Sequence, residues 1–324
     1  MTTLHDALGR SVVGLRREAE LVAAAIRQGC HVALDGPPGT GKSTLLRAIA
    51  TIEGRGVQFV EGNAELTPAR LIGSHDPALV LDGGYTDQAW SDGPLAAAMR
   101  AGELLYLEEL NRIPEETLNA VITAMAEREL VVPRLGRIRA ADGFVLVAAM
   151  NPYDAVGTAR VSQAISDRMC RVAIGYLDEP SEREVVERTG AEPVIAAVAV
   201  AIARGSRAHP AVRTGSSVRG ALDMVRLAHG LADLRGGPAD DRSTLLDAAV
   251  AAMSGRIQVH EDQERTAEEV IAELLDGTLA SAGDDRASSP RIEARSNPRP
   301  APTALTPRSG PRAVALRTGT APSR

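Results

Sequence analysis

Residues 36–43 read Gly36-Pro37-Pro38-Gly39-Thr40-Gly41-Lys42-Ser43, a full match to G-x-x-x-x-G-K-[ST]. The octet follows a short apolar run, Cys30-His31-Val32-Ala33-Leu34, and Asp35. It leads into a helical stretch from Thr44 to Ile52. No other feature limits the fold as much as this order of strand, glycine loop and helix. The glycines let the backbone wrap a phosphate with its N–H groups inward, and the next helix adds its positive N-terminal end. Lys42 is then expected to reach the β- and γ-phosphates of a nucleotide, and the Ser43 hydroxyl to bind Mg²⁺. Composition singles out the same residue. Of the 36 basic side chains all are Arg except Lys42.

Four further apolar runs follow, at Val57–Val60, Leu104–Leu107, Val145–Ala149 and Val172–Ile174, with helical stretches between them such as Glu115 to Arg128. Short apolar strands alternating with helices predict a mostly parallel sheet covered on both faces. The expected fold class is α/β, a five-stranded parallel sheet in an αβα sandwich. After Asp178-Glu179-Pro180 the pattern becomes helical, at 181–189, 193–204, 217–230, 243–254 and 265–275, with no convincing strand. The expected organisation is an α/β core over 1–178, an all-helical lid over 179–276, and a Ser-, Pro- and Arg-rich disordered tail over 277–324.

Three more motifs carry chemistry. Leu104-Leu105-Tyr106-Leu107-Glu108-Glu109 is an apolar strand ending in two acids, which suits a Mg²⁺-side carboxylate (Glu108) followed by a general base for water (Glu109). Asp is commoner at the first position, so the longer Glu108 leaves direct contact with the metal open. Asn151 ends the fourth strand, placed to orient water or sense the γ-phosphate. Arg168 closes a short helix and reads either as a surface cation or as an arginine finger for a neighbouring subunit, with Arg160 and Arg171 as rivals. Arg219 lies in the first turn of a helix that Ser216 or Ser217 caps. A cation is unfavourable at that end unless an anion is near.

Several classes are disfavoured. Two cysteines, Cys30 and Cys170, give no disulfide framework and suggest a reducing compartment, with both thiols as small buried apolar groups. The six histidines lack metal-ligand spacing. No apolar run is long enough for a membrane span, and the first ten residues do not resemble a signal peptide, so a cytoplasmic location is expected. The formal charge is −6. Residues 277–324 hold eight Arg against three acids, so the rest of the chain carries −11. With no aromatic residue after Tyr176, that acidity makes nucleic acid an unlikely partner.

Taken together, these residues resemble the AAA+ ATPases, and within them the MoxR-like group related to magnesium chelatase and gas-vesicle ATPases. The resemblance covers about residues 8–275. It rests on Val13-Gly14, the loop at 36–43, LLYLEELNRIP at 104–114, AAMNP at 148–152, Asp167-Arg168 and Gly215 to Arg219. Glu61-Gly62-Asn63 through Leu95 resembles the family insertion into the second helix, and 127–137 the hairpin before sensor 1. The resemblance implies ATP and Mg²⁺, with Val13, Gly14 and the loop through Thr44 binding nucleotide. It gives Asn151 the sensor 1 role, Arg168 the finger and Arg219 sensor 2. It further implies a homo-oligomeric, hexameric ring that hydrolyses ATP to remodel a protein client, sometimes one with a von Willebrand factor A domain. The competing readings are a monomeric P-loop kinase or transferase, and a DNA-associated ATPase.

Overall fold

Five apolar strands form one parallel sheet: β1 (His31–Asp35), β2 (Val57–Glu61), β3 (Leu104–Glu108), β4 (Val145–Met150) and β5 (Met169–Ala173). Their order is β2-β3-β4-β1-β5, with every neighbouring pair parallel. The computed structural model describes residues 4–151 and 162–288. Successive side chains of a strand point to opposite faces. Leu104, Tyr106, Val145 and Val147 therefore pack on one side with Leu34, Leu45 and Ile49, and Leu105, Leu107, Leu146 and Ala148 on the other with Leu95, Met99 and Phe144. Both faces are dry, which explains why these strands read as continuous apolar runs rather than alternating ones.

Helices α1 (Arg16–Arg27), α2 (Lys42–Glu53) and α3 (Glu115–Glu127) flank the sheet. Helix α2 is bounded by left-handed glycines, Gly41 (φ 86°) before it and Gly54 (φ 64°) after it, a conformation that costs glycine nothing and other residues about 1–2 kcal/mol. The C-terminal region holds α4 (Glu179–Glu187), α5 (Pro193–Ala208), α6 (Val218–Arg235), α7 (Arg242–Met253) and α8 (Ala267–Ser288) around a core of its own. It is not wholly helical. Val212–Thr214 pairs antiparallel with Gln258–Val259, a ladder too short to give a strand signal in sequence. Helix α8 continues to Ser288, beyond the residue 276 boundary drawn from composition, and Leu279 still packs on the helical core. The tail reading over 289–324 lies outside the described residues. Among the described residues no helix is long and apolar enough to cross a membrane.

The two insertions fold as antiparallel ladders. Gly73–His75 pairs with Trp90–Asp92, and Glu129–Val132 with Gly136–Arg139. The two meet. The His75 ring stands edge-on to Tyr85 and Trp90 at 5.0 Å each, and the Arg134 guanidinium from the second hairpin lies 3.9 Å from the Tyr85 ring centre.

The cysteines differ from expectation. Cys30 and Cys170 are both exposed. Cys30 sits in the turn before β1, and β5 is the sheet edge with one apolar position buried in five, so neither thiol reaches the core. The Cys170 thiol is pushed above the usual range by desolvation first, and then by Cys30, with which it is hydrogen-bonded.

Candidate functional site

The C-terminal ends of β1, β3 and β4 place the site. The loop leaves β1 tied to the sheet on both sides. Gly36 N–H donates to Met150 O of β4 (3.2 Å), and Ile174 N–H donates to Asp35 O (2.7 Å). A Cβ at Gly36 would lie 2.0 Å from Ile174 O, so only glycine lets β1 enter the loop here. Gly39 (φ 76°) and Gly41 (φ 86°) then turn the backbone through the left-handed region, which aims successive N–H groups inward. Thr40 Oγ1 donates to Pro37 O at 3.0 Å and closes the turn.

Lys42 Nζ donates to Gly36 O (2.9 Å) and Pro37 O (2.8 Å) across the mouth of the loop. Desolvation lowers its pKa, while the charges of Glu108 and Asp35 oppose the shift and Arg219 adds to it. Among the described residues the ammonium is thus held by carbonyl oxygens, with no carboxylate bonded to it. Ser43 Oγ donates to Glu108 Oε1 at 2.8 Å and lies 3.2 Å from the Tyr106 hydroxyl. The extra methylene of Glu108 does not separate it from Ser43. The two oxygens sit together, as the pair that would hold Mg²⁺ directly or through water. Hard oxygen donors of this kind fit Mg²⁺, which takes its other ligands from phosphate and water.

Glu109 has left-handed backbone (φ 52°), an uncommon state for a residue with a side chain. Its carboxylate pairs with Arg112 Nε at 2.9 Å. The sequence reading did not include Arg112. The opposite charges at i, i+3 were the available signal. Gly62 is the second omission, noted only as the start of an insertion. Its N–H donates to Glu108 O at 2.8 Å, and a Cβ on it would stand 2.5 Å from Glu109 O and 2.8 Å from Glu108 O.

Asn151 directly follows the β4 residue bonded to Gly36, so it faces the loop end of the sheet. Pro152 and Arg160 lie outside the described residues. Arg171 is engaged within its own chain. Its Nε donates to Asp35 Oδ2 at 2.7 Å and its Nη2 to the same oxygen. Both arginines are exposed, but among the described residues the Arg168 guanidinium is held by no carboxylate, and its Nη1 donates to Ala164 O at 2.7 Å.

A cavity of about 320 Å³ opens beside the loop. Gly39, Thr40, Gly41 and Thr44 form its loop end. Val13, Tyr176, Leu177 and Val185 form an apolar wall, and Val218 and Arg219 close it from α6. Gly14 (φ 69°) lies outside the lining, and a Cβ there would meet Ser181 and Leu177 at under 3 Å. Ser217 takes the N-cap position of α6 without a side-chain capping bond, and Ser216 is fully buried. The helix docks on the loop, for a Cβ at Gly39 would lie 2.1 Å from Ser217 Oγ and 3.9 Å from Arg219 Cβ.

Residues 31–169 match the AAA domain of the dynein-related subfamily. The chain carries an AAA domain over these residues, in keeping with its resemblance to the MoxR-like AAA+ ATPases. Among curated proteins it is 30% identical to the gas vesicle ATPase GvpN of Ancylobacter aquaticus, over 60% of this chain and 59% of that one. It is also 30% identical to NorQ of Paracoccus denitrificans, over 53% of this chain and 62% of that one. The chain thus spans about three fifths of these relatives' length. A mutant of Thermotoga maritima RuvB shares the fold, with TM-score 0.52 and 16% identity over 76% of this chain and 72% of that one.

Two expectations follow for this AAA+ chain. In Gly62→Ala the methyl group has to displace the backbone of both acids, because two of its three close obstacles are their carbonyl oxygens, with the Ile113 side chain as the third. ATP turnover should fall about tenfold or more while nucleotide affinity, set by the loop, stays within about twofold. Equilibrium binding of a fluorescent ATP analogue beside steady-state turnover separates the two. The second concerns Tyr106, 1% exposed, whose phenol is pushed up to about 12, chiefly by burial, with the Ser43 hydrogen bond opposing the rise. A folded-state pKa raised above the ordinary 10 favours the protonated form in the fold. That stability is complete below pH 10 and is lost as pH rises through about 12, by about 2–3 kcal/mol. Urea unfolding across this range should show the loss in the wild type and a smaller one in Tyr106→Phe.

Proposed function

We propose that the chain is a ring-forming ATPase that uses Mg²⁺-dependent ATP hydrolysis to remodel or activate a protein client. The observation that carries this reading is one cluster at one end of the sheet. Lys42, the Ser43–Glu108 pair and Glu109 stand around the loop, and Arg219 lines the cavity beside that loop from the helical region. In this reading ATP lies with its base against the Val13–Leu177 wall and its phosphates in the loop. Lys42 exchanges the carbonyls of Gly36 and Pro37 for phosphate oxygens. Mg²⁺, when bound, neutralises charge on the β- and γ-phosphates, and Ser43 and Glu108 are the side chains that would hold it. Glu109 turns from Arg112 to accept a proton from water, and Asn151 orients that water. Arg219 offsets developing charge on the terminal phosphate, as does Arg168 donated from a neighbouring subunit.

The ring and the client rest on the family resemblance, supported by the exposed Arg168. The joined insertions offer a contact face, with Tyr85, Leu79, Leu81 and Val131 exposed. A client with a von Willebrand factor A domain is the class this resemblance suggests. The test is ATP turnover per subunit against protein concentration, with Mg²⁺ present. A rise with concentration supports a site shared between subunits. A flat, nonzero rate gives first place to a monomeric P-loop enzyme.

A further inference from the structure

Glu182 lies in the first turn of α4 and is 1% exposed, at the edge of the nucleotide cavity. The proposed chemistry gives this buried carboxylate no task. Its Oε2 accepts from Arg207 Nη2 at 2.7 Å and from Arg204 Nη1 at 3.1 Å, both on α5. Arg207 spends its remaining surface on two other elements. Nη1 donates to Ser216 O at 3.2 Å, and the guanidinium plane stands 4.3 Å from the ring centre of Tyr176. Arg204 Nη1 also donates to Leu177 O at 3.2 Å. Gly215 seals the arrangement, since a Cβ there would lie 2.6 Å from Arg207 N and Cα.

One carboxylate therefore joins three parts that meet at the nucleotide: the linker at Tyr176–Leu177, helices α4 and α5, and the turn that starts α6. Arg219 stands three residues after Ser216, in the first turn of that helix. A buried ion pair contributes little net stability compared with an apolar pair of similar size, so its retention points to geometry. The planar guanidinium makes this possible, because it can hold a carboxylate, a carbonyl and an aromatic face at once.

We propose that Glu182 and Arg207 are positioning residues that fix the start of α6 against the linker and so set where Arg219 meets the terminal phosphate. This rests on the reading of Arg219 given above. Arg207→Lys keeps the charge opposite Glu182 but cannot also hold Ser216 O and stack on Tyr176. The test is turnover and ATP-analogue affinity for Arg207→Lys, Arg219→Ala and the double variant, at a protein concentration where wild-type turnover per subunit is constant. Arg207→Lys is expected to melt close to the wild type, to lower kcat about tenfold and to change KM less than about threefold. In the Arg219→Ala background it should cost nothing further, because both changes remove the same contact.

If Arg219→Ala slows turnover but Arg207→Lys adds its own full factor in the double variant, the positioning role is overturned and the reading of Arg219 stands. If Arg219→Ala leaves turnover and affinity unchanged, that reading fails and the positioning role falls with it. Should Arg207→Lys not fold, Glu182→Gln takes its place with the same readouts. If neither variant folds, the pair is an element of stability and the proposal is overturned.

Discussion

Glu109→Gln should lower ATP turnover by about two to four orders of magnitude, the usual contribution of a positioned general base, while ATP binding is retained. The amide matches the carboxylate in size but cannot accept a proton from water at neutral pH. Lys42 Nζ, Gly39 and Gly41, which would hold phosphate in the proposed reading, are not among the bonded partners of the Glu109 carboxylate in the described residues. Arg112 makes the outcome more specific. It holds the Glu109 carboxylate at 2.9 Å, with both side chains about two fifths exposed, where an ion pair is worth at most about 1 kcal/mol. Arg112→Ala should therefore change turnover by less than about tenfold. Equal losses in the two variants would mean that Arg112, rather than Glu109, is the residue acting on the reaction. Single-turnover hydrolysis with ATP in equilibrium-bound form measures this without interference from product release.

Arg168→Ala should reduce turnover about a thousandfold, within the range for an arginine finger. The decisive form of the experiment mixes two inactive proteins. An Arg168→Ala subunit keeps its own Glu109, and a Glu109→Gln subunit keeps its own Arg168. Where the first supplies the nucleotide site and the second the finger, a complete site forms between them. Mixing should restore a substantial fraction of wild-type turnover. Each subunit would remain inactive if Arg168 served its own nucleotide, and the mixture would stay silent. Arg171 is a poor substitute for this role because Asp35 of the same chain already holds its guanidinium. Arg171→Ala is expected to perturb the β1–β5 edge rather than to mimic Arg168→Ala.

Sequence reasoning was strongest where chemistry and chain position coincide. The phosphate loop is eight consecutive residues between a strand and a helix, so backbone order alone brings its parts together. The acidic pair was legible because it directly follows an apolar run, although only the sheet order, with β4 between β3 and β1, brings it to the loop. The strand positions followed from apolar runs that both faces of the sheet bury. What escaped notice depends on register and on packing between distant segments. Gly62 meets Glu108 and Glu109 only because β2 pairs with β3 in parallel register, Glu61 opposite Glu108. The Asp35–Arg171 pair needs β5 beside β1, which sets Arg171 opposite Ala33, two residues before Asp35 on the same face.

Local pattern was silent in one place and misleading in another. Glu182 lies in Glu179-Pro180-Ser181-Glu182-Arg183-Glu184, which has the charge density of a solvated helix face. Nothing in that spacing separates the one buried carboxylate from its exposed neighbours. Cysteine is so often buried that Cys30 and Cys170 were assigned to the core, yet a turn and an edge strand leave both at the surface.

The sequence by itself determined that this chain folds around a phosphate loop in a parallel α/β sheet and carries the side chains of an ATPase. Those features depend on residues adjacent in the chain and on periodicity, which no distant contact can alter. The tertiary structure decided which of many arginines and acids are spoken for. Arg171 is bound to Asp35, and Arg207 to Glu182 and Ser216. In a chain with 35 Arg and 42 acids, pairing is set by distance and burial between segments far apart in sequence. Coulomb attraction between opposite charges is equally available to every candidate pair until the fold brings a few of them within a few ångströms and away from water.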